Sequence, residues 1–359
     1  MKHDHRLDGI RGLAVLLVLC HHALQEIPAR SALDSAVFNL AGTLWFGVDF
    51  FFVLSGFLIT GILLRNRKKP NYFRSFYARR ILRIFPLYFC LLPGILLLAK
   101  HYSGSTHWPV DTPYDFLYLS NVHNALHGWP SRFASHLWSL SVEEQFYVVW
   151  PFLIFVVPPR RTIAFISATA LAVITLRLIS TASSTAVYNL FHWDGLLFGA
   201  LLATMDHEQV HWSRGRWRLL LGSACVLLAV PQIGAGFDWQ HWHGLQTVSY
   251  ALIALAGAAV IALTRMSSRT VFSNGILTAF GRRSYAIYLL HYPLDTWLRK
   301  LHFHPAAGNW LPQFSPFPGI AYTAALAAIT YGLSEITLFV LESRMLALKK
   351  YFEYGQTPS

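Results

Sequence analysis

Arg11 and His22 stand eleven residues apart in a stretch that is otherwise almost wholly apolar. At about 3.6 residues per turn this is just over three helical turns, so the guanidinium and the imidazole share one face roughly 16 Å apart along the axis. An ionised group inside a lipid-facing segment costs about 2.5–3.5 kcal/mol for Arg, so such groups face a partner or a polar cavity. A neutral imidazole held there can act as a general base or accept a transferred group for a moment. Its structural alternative is an interhelical hydrogen bond, the role expected for His21, which is turned about 100° away.

A second candidate set is Arg79, Arg80 and Arg83, where spacings of three and four residues bring Arg83 beside the other two. Three guanidiniums at a helix entrance can cradle a polyphosphate through paired N–H donors. They serve equally well as an inside anchor beside Arg65, Arg67, Lys68 and Lys69. Glu143 and Glu144 follow Trp138 at the start of another apolar stretch, and adjacent carboxyls about 100° apart call for different tasks, such as orienting a histidine or holding an acceptor hydroxyl. Asp49 lies in the strongly apolar run Gly47 to Leu58 and requires a partner or water. Ser55 and Gly56 in that run are expected to allow close helix contact, as are Gly195, Gly199 and Ala203. His291 is a second histidine at membrane depth, two residues before Pro293, where a kink is expected.

Holding these residues at depth is work for membrane helices. The chain has 359 residues, 54% of them hydrophobic, 15% aromatic and only 13% charged, a poor composition for a water-facing surface. Apolar runs of roughly 20 residues, the length that crosses a hydrocarbon core, recur along nearly all of it. The pattern predicts an all-α polytopic membrane protein with about ten transmembrane helices near 10–28, 42–64, 81–99, 138–157, 162–180, 189–205, 219–235, 245–264, 276–298 and 318–341. With the N-terminus in the cytosol, all of the 29 Lys and Arg residues fall inside except Arg30, Lys100, Arg132, Arg177, Arg299 and Lys300. This agrees with the positive-inside rule and places both termini in the cytosol.

The formal charge of +12 therefore reads as topology, since the basic residues form short clusters between apolar runs and no nucleic-acid recognition motif accompanies them. Cys20, Cys90 and Cys225 all lie in apolar segments and read as packing residues. The first apolar stretch is interrupted by Arg11, His21 and His22, so it is read as a retained helix and not a cleaved signal. The largest outer segment, Lys100 to Leu137, carries Trp108, Trp129, His101, His107, His123, His127 and His136; it is equally suited to an interfacial loop and to covering an outward-facing site. No repeat or metal-ligand spacing emerges.

Taken in order, Leu7-Asp8-Gly9-Ile10-Arg11-Gly12 with His22, the Gly47 to Leu58 run, Arg79 to Arg83, Trp138 to Tyr147 and Tyr285 to Pro293 resemble the membrane-bound acyltransferase family 3. The resemblance implies about ten helices, over residues 1–345, and a short cytosolic tail over 346–359. It further implies acyl transfer, commonly of acetyl from cytosolic acyl-coenzyme A, to a sugar hydroxyl of a surface polysaccharide or other glycoconjugate at the bacterial cytoplasmic membrane. No tightly bound cofactor or metal is expected, acyl-coenzyme A being a donor substrate. On this reading Arg11, Arg79, Arg80 and Arg83 hold the donor, while His22 with Arg11, Glu143 and Glu144 forms the catalytic set. Asp49, Trp138 and His291 contact the carbohydrate or glycolipid acceptor.

Family members often carry an arginine two residues before the acid corresponding to Asp194, and His192 occupies that position here. The soluble esterase-like domain that some relatives carry is absent from this sequence. Two rival classes remain: a proton-coupled transporter or exporter of a lipid-linked sugar, with Asp49, His22, Glu143 and His291 as proton path, and a non-catalytic scaffold.

Overall fold

The computed structural model describes residues 4–24, 32–103, 107–129, 133–179, 192–234, 243–303, 305 and 318–355. Arg30, Arg132 and the expected opening of the sixth helix at 189–191 lie outside them. Among the described residues there is no strand. Ten helices of 14 residues or more lie among the described residues: α1 (His5–Leu24), α2 (Gly47–Asn66), α3 (Tyr72–Ser103), α4 (Leu137–Val156), α5 (Thr162–Ile179), α6 (Asp194–His207), α7 (Arg214–Gly234), α8 (His243–Arg265), α9 (Gly275–Lys300) and α10 (Pro318–Thr337). Six stretches, those of α1, α2, α3, α5, α8 and α10, are long and apolar enough to cross a bilayer. The chain is thus a multi-pass integral membrane protein. Its outward surface agrees, because large apolar side chains such as Leu219 and Phe339, 72% and 80% exposed, suit contact with lipid.

Two helix pairs touch backbone to backbone. A Cβ on Gly12 of α1 would lie 1.9 Å from the Leu277 carbonyl oxygen of α9, and one on Gly281 would lie 1.8 Å from that of Asp8. On the other side of the bundle, Gly56 of α2 and Gly199 of α6 meet the Leu196 and Val53 carbonyls in the same way. Only a residue without a side chain permits such an approach. The expected small-residue seam of α6 is therefore real, and α2 is the helix it serves. Between α2, α3 and α4 the core is aromatic, with Phe52, Tyr72, Phe76, Tyr88, Phe146 and Trp150 all fully buried.

Arginines close the helix ends on one side of the bundle. Arg67 donates to the Phe155 and Val157 carbonyls at 2.8 and 2.5 Å, and Arg6 donates to the Ser267 carbonyl at 2.5 Å. Each supplies charged donors to carbonyls that a helix terminus leaves unpaired. Asp4, Arg65, Lys349 and Tyr354 line one cavity there, so the first and last described segments share this basic end.

Two boundaries differ from expectation. The third helix begins at Tyr72 and not near 81, which puts Arg79, Arg80 and Arg83 two to three turns inside it; residues 72–80 continue the same helix as an amphipathic basic turn that an apolarity window overlooks. The segment after α10 is not a free tail. It runs through a π-helical turn (Leu338–Glu342), a short helix (Ser343–Ala347) and a 3-10 turn (Leu348–Phe352), then folds back onto α3.

Candidate active site

At the basic end a cavity of about 340 Å³ is lined by Arg11, Arg65, Arg79, Arg80, Arg83 and Lys349 together with Asp4 and Asp8. A second cavity of about 210 Å³ lies deeper, lined by Arg11, Arg80 and Arg83 again and by Ser55, Glu143, Glu144, Tyr147, Ser139 and Tyr288. The three shared guanidiniums form the boundary between the two. Arg11 is held by Asp8 of its own helix, with Nη1 3.3 Å from Oδ1, the i, i+3 geometry that one helix face provides. Arg80 packs between the Tyr147 and Phe76 rings, 5.8 and 6.0 Å from their centroids. Arg79 turns the other way and donates to the Lys349 and Phe352 carbonyls at 3.2 and 3.5 Å.

The deeper cavity is framed by hydrogen bonds between α2 and α4. Ser55 donates to Glu143, Tyr147 donates to Ser55 at 3.1 Å, and one turn further on Trp150 donates to Thr60 at 2.8 Å. This ladder fixes the rotation of α4 and turns Glu143 toward α2, while Glu144 lines the same cavity from the neighbouring helix position. Ser55, read from sequence mainly as a packing residue, is thus the hydroxyl that orients a carboxyl. Tyr288 of α9 closes the far end; its hydroxyl lies 2.5 Å from Ser139 Oγ and donates to the His136 carbonyl at 3.0 Å.

His22 lies beyond that closure and lines neither cavity. Its ring packs 4.5 Å from Tyr292 and 5.4 Å from His291, with His136 5.3 Å from Tyr292 and 5.7 Å from His291. The half-buried His22 ring thus meets polar aromatic groups on its Tyr292 and His291 sides. Among the described residues, buried His22 Nδ1 has no hydrogen-bond partner. His291 Nδ1 lies 2.7 Å from the Tyr288 carbonyl and 3.2 Å from that of Ile287, which assigns the proton to that nitrogen. Its Nε2 is left as a buried lone pair, also without a partner among the described residues. At the same level Arg299 donates to the His22 carbonyl at 2.7 Å, itself held by Asp295 at 2.8 Å, and Tyr322 donates to Asp295 at 2.7 Å.

Asp49 and Trp138 stand apart from the cavities. Asp49 Oδ1 is 2.7 Å from His192 Nε2, both groups fully enclosed, and the Trp138 ring packs 5.6 Å from His192 and 6.2 Å from Phe52. Beside them Asp194 receives both ends of the Arg177 guanidinium, at 2.9 and 3.0 Å. Where family members often carry an arginine, His192 pairs with Asp49, and Asp194 takes its guanidinium from Arg177 of α5. Arg177, assigned by the charge count to the outer side, is buried within the bundle.

The arrangement offers cationic groups at the basic end, a carboxyl pair and hydroxyls at mid-depth, and imidazole lone pairs beyond. Sequence comparison matches residues 4–337 to the acyltransferase-3 family, described as an acyltransferase domain. The chain is 28% identical over 343 residues to the peptidoglycan O-acetyltransferase OatA of Listeria monocytogenes, covering 82% of this chain and 50% of that protein. To the O-acetyltransferase OatA of Staphylococcus aureus it is 26% identical over 361 residues, covering 92% and 56%. The chain spans about half the length of these curated relatives. No solved structure matches it. With the family match running from ahead of α1 to the end of α10, across the guanidinium cavities and the histidine cluster alike, the chain belongs to the acyltransferase-3 family.

Proposed function

We propose that this protein is a membrane O-acetyltransferase that takes acetyl from cytosolic acetyl-coenzyme A and transfers it to a hydroxyl of a carbohydrate or glycolipid acceptor at the outer side of a bacterial cytoplasmic membrane. The observation that carries the reading is the line of groups just described, with Arg11, Arg80 and Arg83 lining both the basic cavity and the deeper one, which reaches Tyr288 on the side of His22. The excess of basic residues orients that end, and both termini with it, toward the cytosol.

The donor's phosphates rest on the guanidiniums, whose planar forks suit phosphate oxygens. Its thioester arm runs along the deeper cavity, past the Ser55–Tyr147 hydrogen bond, toward Tyr288. Because Tyr288 separates the deeper cavity from His22, the thioester meets the imidazole only when that hydroxyl yields its hydrogen bonds. The acceptor hydroxyl arrives from the opposite end, and His22 takes its proton as the oxygen attacks the thioester carbonyl. The C–S bond breaks, the C–O bond forms, and the proton passes from His22 to the departing sulfur, so the reaction balances as ester plus thiol. Glu143, oriented by Ser55, lines the path of the donor arm. The fixed tautomer of His291 makes Nε2 an acceptor for the incoming hydroxyl.

The rival proton path does not gain support from the geometry, since Asp49 is enclosed with His192 and takes no place beside Glu143. The test is incorporation of radiolabelled acetyl from acetyl-coenzyme A into bacterial glycans by the purified protein in detergent. Wild-type protein is expected to label the glycan, and His22→Ala protein, inserted and folded, is expected not to. Transfer by His22→Ala at the wild-type rate would remove the histidine from the mechanism.

A further inference from the structure

Residues 338–355 lie beyond the stretch matched by the family, yet they complete the basic cavity. We propose that this C-terminal segment is a strap that forms part of the donor site, with Lys349 and Tyr354 contacting the phosphate-bearing nucleotide end of the donor. This rests on the acyl-coenzyme A reading above and names residues which that reading does not include.

Two grips hold the strap. Asn71, just ahead of α3, donates to the Glu353 carbonyl at 2.7 Å and accepts from the Gly355 N–H at 2.8 Å, so one amide side chain engages both backbone polarities of the strap. Gly355 has φ +91°, the left-handed conformation that turns its N–H back toward Asn71. The second grip is Arg79, whose guanidinium is committed to the Lys349 and Phe352 carbonyls. Between these grips the Lys349 and Tyr354 side chains line the cavity, each only half-buried, as contact with a water-soluble donor requires.

The charge of the cavity points to the ligand. Six cationic side chains line it against Asp4 and Asp8, and Arg80, Arg83 and Lys349 have no acceptor among the described residues. Unpaired cations gathered in a cavity are satisfied by a multiply charged anion with several acceptor oxygens. Tyr354 adds an aromatic face at the rim, suited to a planar base. A phosphorylated nucleotide has both features, and the strap supplies one group for each. Arg79 then acts on the donor through the strap and is a positioning residue, unlike Arg80 and Arg83.

The test uses the full-length protein in detergent, with coenzyme A as binding probe and acetyl-coenzyme A as donor. Lys349→Ala and Asn71→Ala are each expected to weaken coenzyme A binding and raise the donor KM by about ten-fold or more, the scale of losing one charged hydrogen-bonding group. The acceptor KM and the rate at saturating donor are expected to stay at wild-type values, a split that general misfolding would not produce. Arg79→Ala combined with Asn71→Ala is expected to cost less than the product of the two single effects, because both release one strap. Wild-type donor KM and coenzyme A affinity in both Lys349→Ala and Asn71→Ala would overturn the strap assignment while leaving the acyl-coenzyme A reading intact. A wild-type protein that binds no coenzyme A yet transfers acetyl from another thioester would overturn both.

Discussion

Replacing Arg177 by Leu is the sharpest test of how the bundle tolerates its buried charges. The Arg177 and Asp194 side chains are 2% and 0% exposed, and the guanidinium fork meets both carboxylate oxygens at 2.9 and 3.0 Å. Removing the cation leaves a fully enclosed carboxylate without its guanidinium, beside the Asp49–His192 pair, and breaking a buried pair in this way costs about 3–5 kcal/mol. The double variant Arg177→Leu with Asp194→Asn removes both charges and is expected to recover most of that loss, since an amide requires far less of its surroundings than an ion. Unfolding of the detergent-solubilised protein, followed by tryptophan fluorescence, gives the three stabilities needed for the cycle. Donor KM at a permissive temperature is expected to be unchanged, because neither residue lines a cavity. The reasoning fails if Arg177→Leu costs less than about 1 kcal/mol, the value of an exposed pair, or if the second substitution adds to the first in place of relieving it.

Gly281→Val is expected to yield no folded protein in a detergent stability screen, because its side chain would enter the Asp8 carbonyl; Gly222→Ala, with nothing within 4 Å of the new atom, is expected to be neutral or stabilising by up to about 1 kcal/mol. Arg299→Gln is expected to lower the transfer rate at saturating donor without moving the donor KM, because Arg299 holds the His22 carbonyl and touches no cavity. In the outer segment, burial pushes the Asp115 carboxyl up from its ordinary 3.8 to about 7. A folded value above the unfolded one means stability is full below 3.8 and is lost as pH rises toward about 7, by about 1.4 kcal/mol per unit at most. Thermal unfolding between pH 4.5 and 7.5 is expected to show this decline in wild type and a flatter profile in Asp115→Asn.

What the sequence made legible was periodic or local. The apolar runs located the helices, and the eleven-residue interval from Arg11 to His22 placed both on one side of α1, which meets α9 along Gly12 and Gly281. The arginines of α3 and the carboxyls of α4 could be read as a group because each set lies within one or two turns. Partners from distant elements could not. Arg177 finds Asp194 across 17 positions, Ser55 finds Glu143 across 88, and the strap returns to Asn71 across more than 280. None of these leaves a mark in spacing, since a hydrogen bond between helices depends on rotation and tilt that the one-dimensional pattern does not encode. His136 was visible only as one of several outer histidines; its place beside His291 and Tyr292 follows from how α4 enters the bundle.

The glycine contacts between α1 and α9 carry a consequence for how a cargo could cross this membrane. Helices whose carbonyls meet neighbouring Cα atoms at this range resist rocking or sliding past one another, and these two bear the His22 and His291 imidazoles. A carrier that exposes its site first to one compartment and then to the other needs such freedom, whereas a fixed meeting point does not. Passage here would then be a relay through stationary hands, in which the small moving parts are a tyrosine hydroxyl and the two reactants, and the only thing to travel the full thickness is the group handed over.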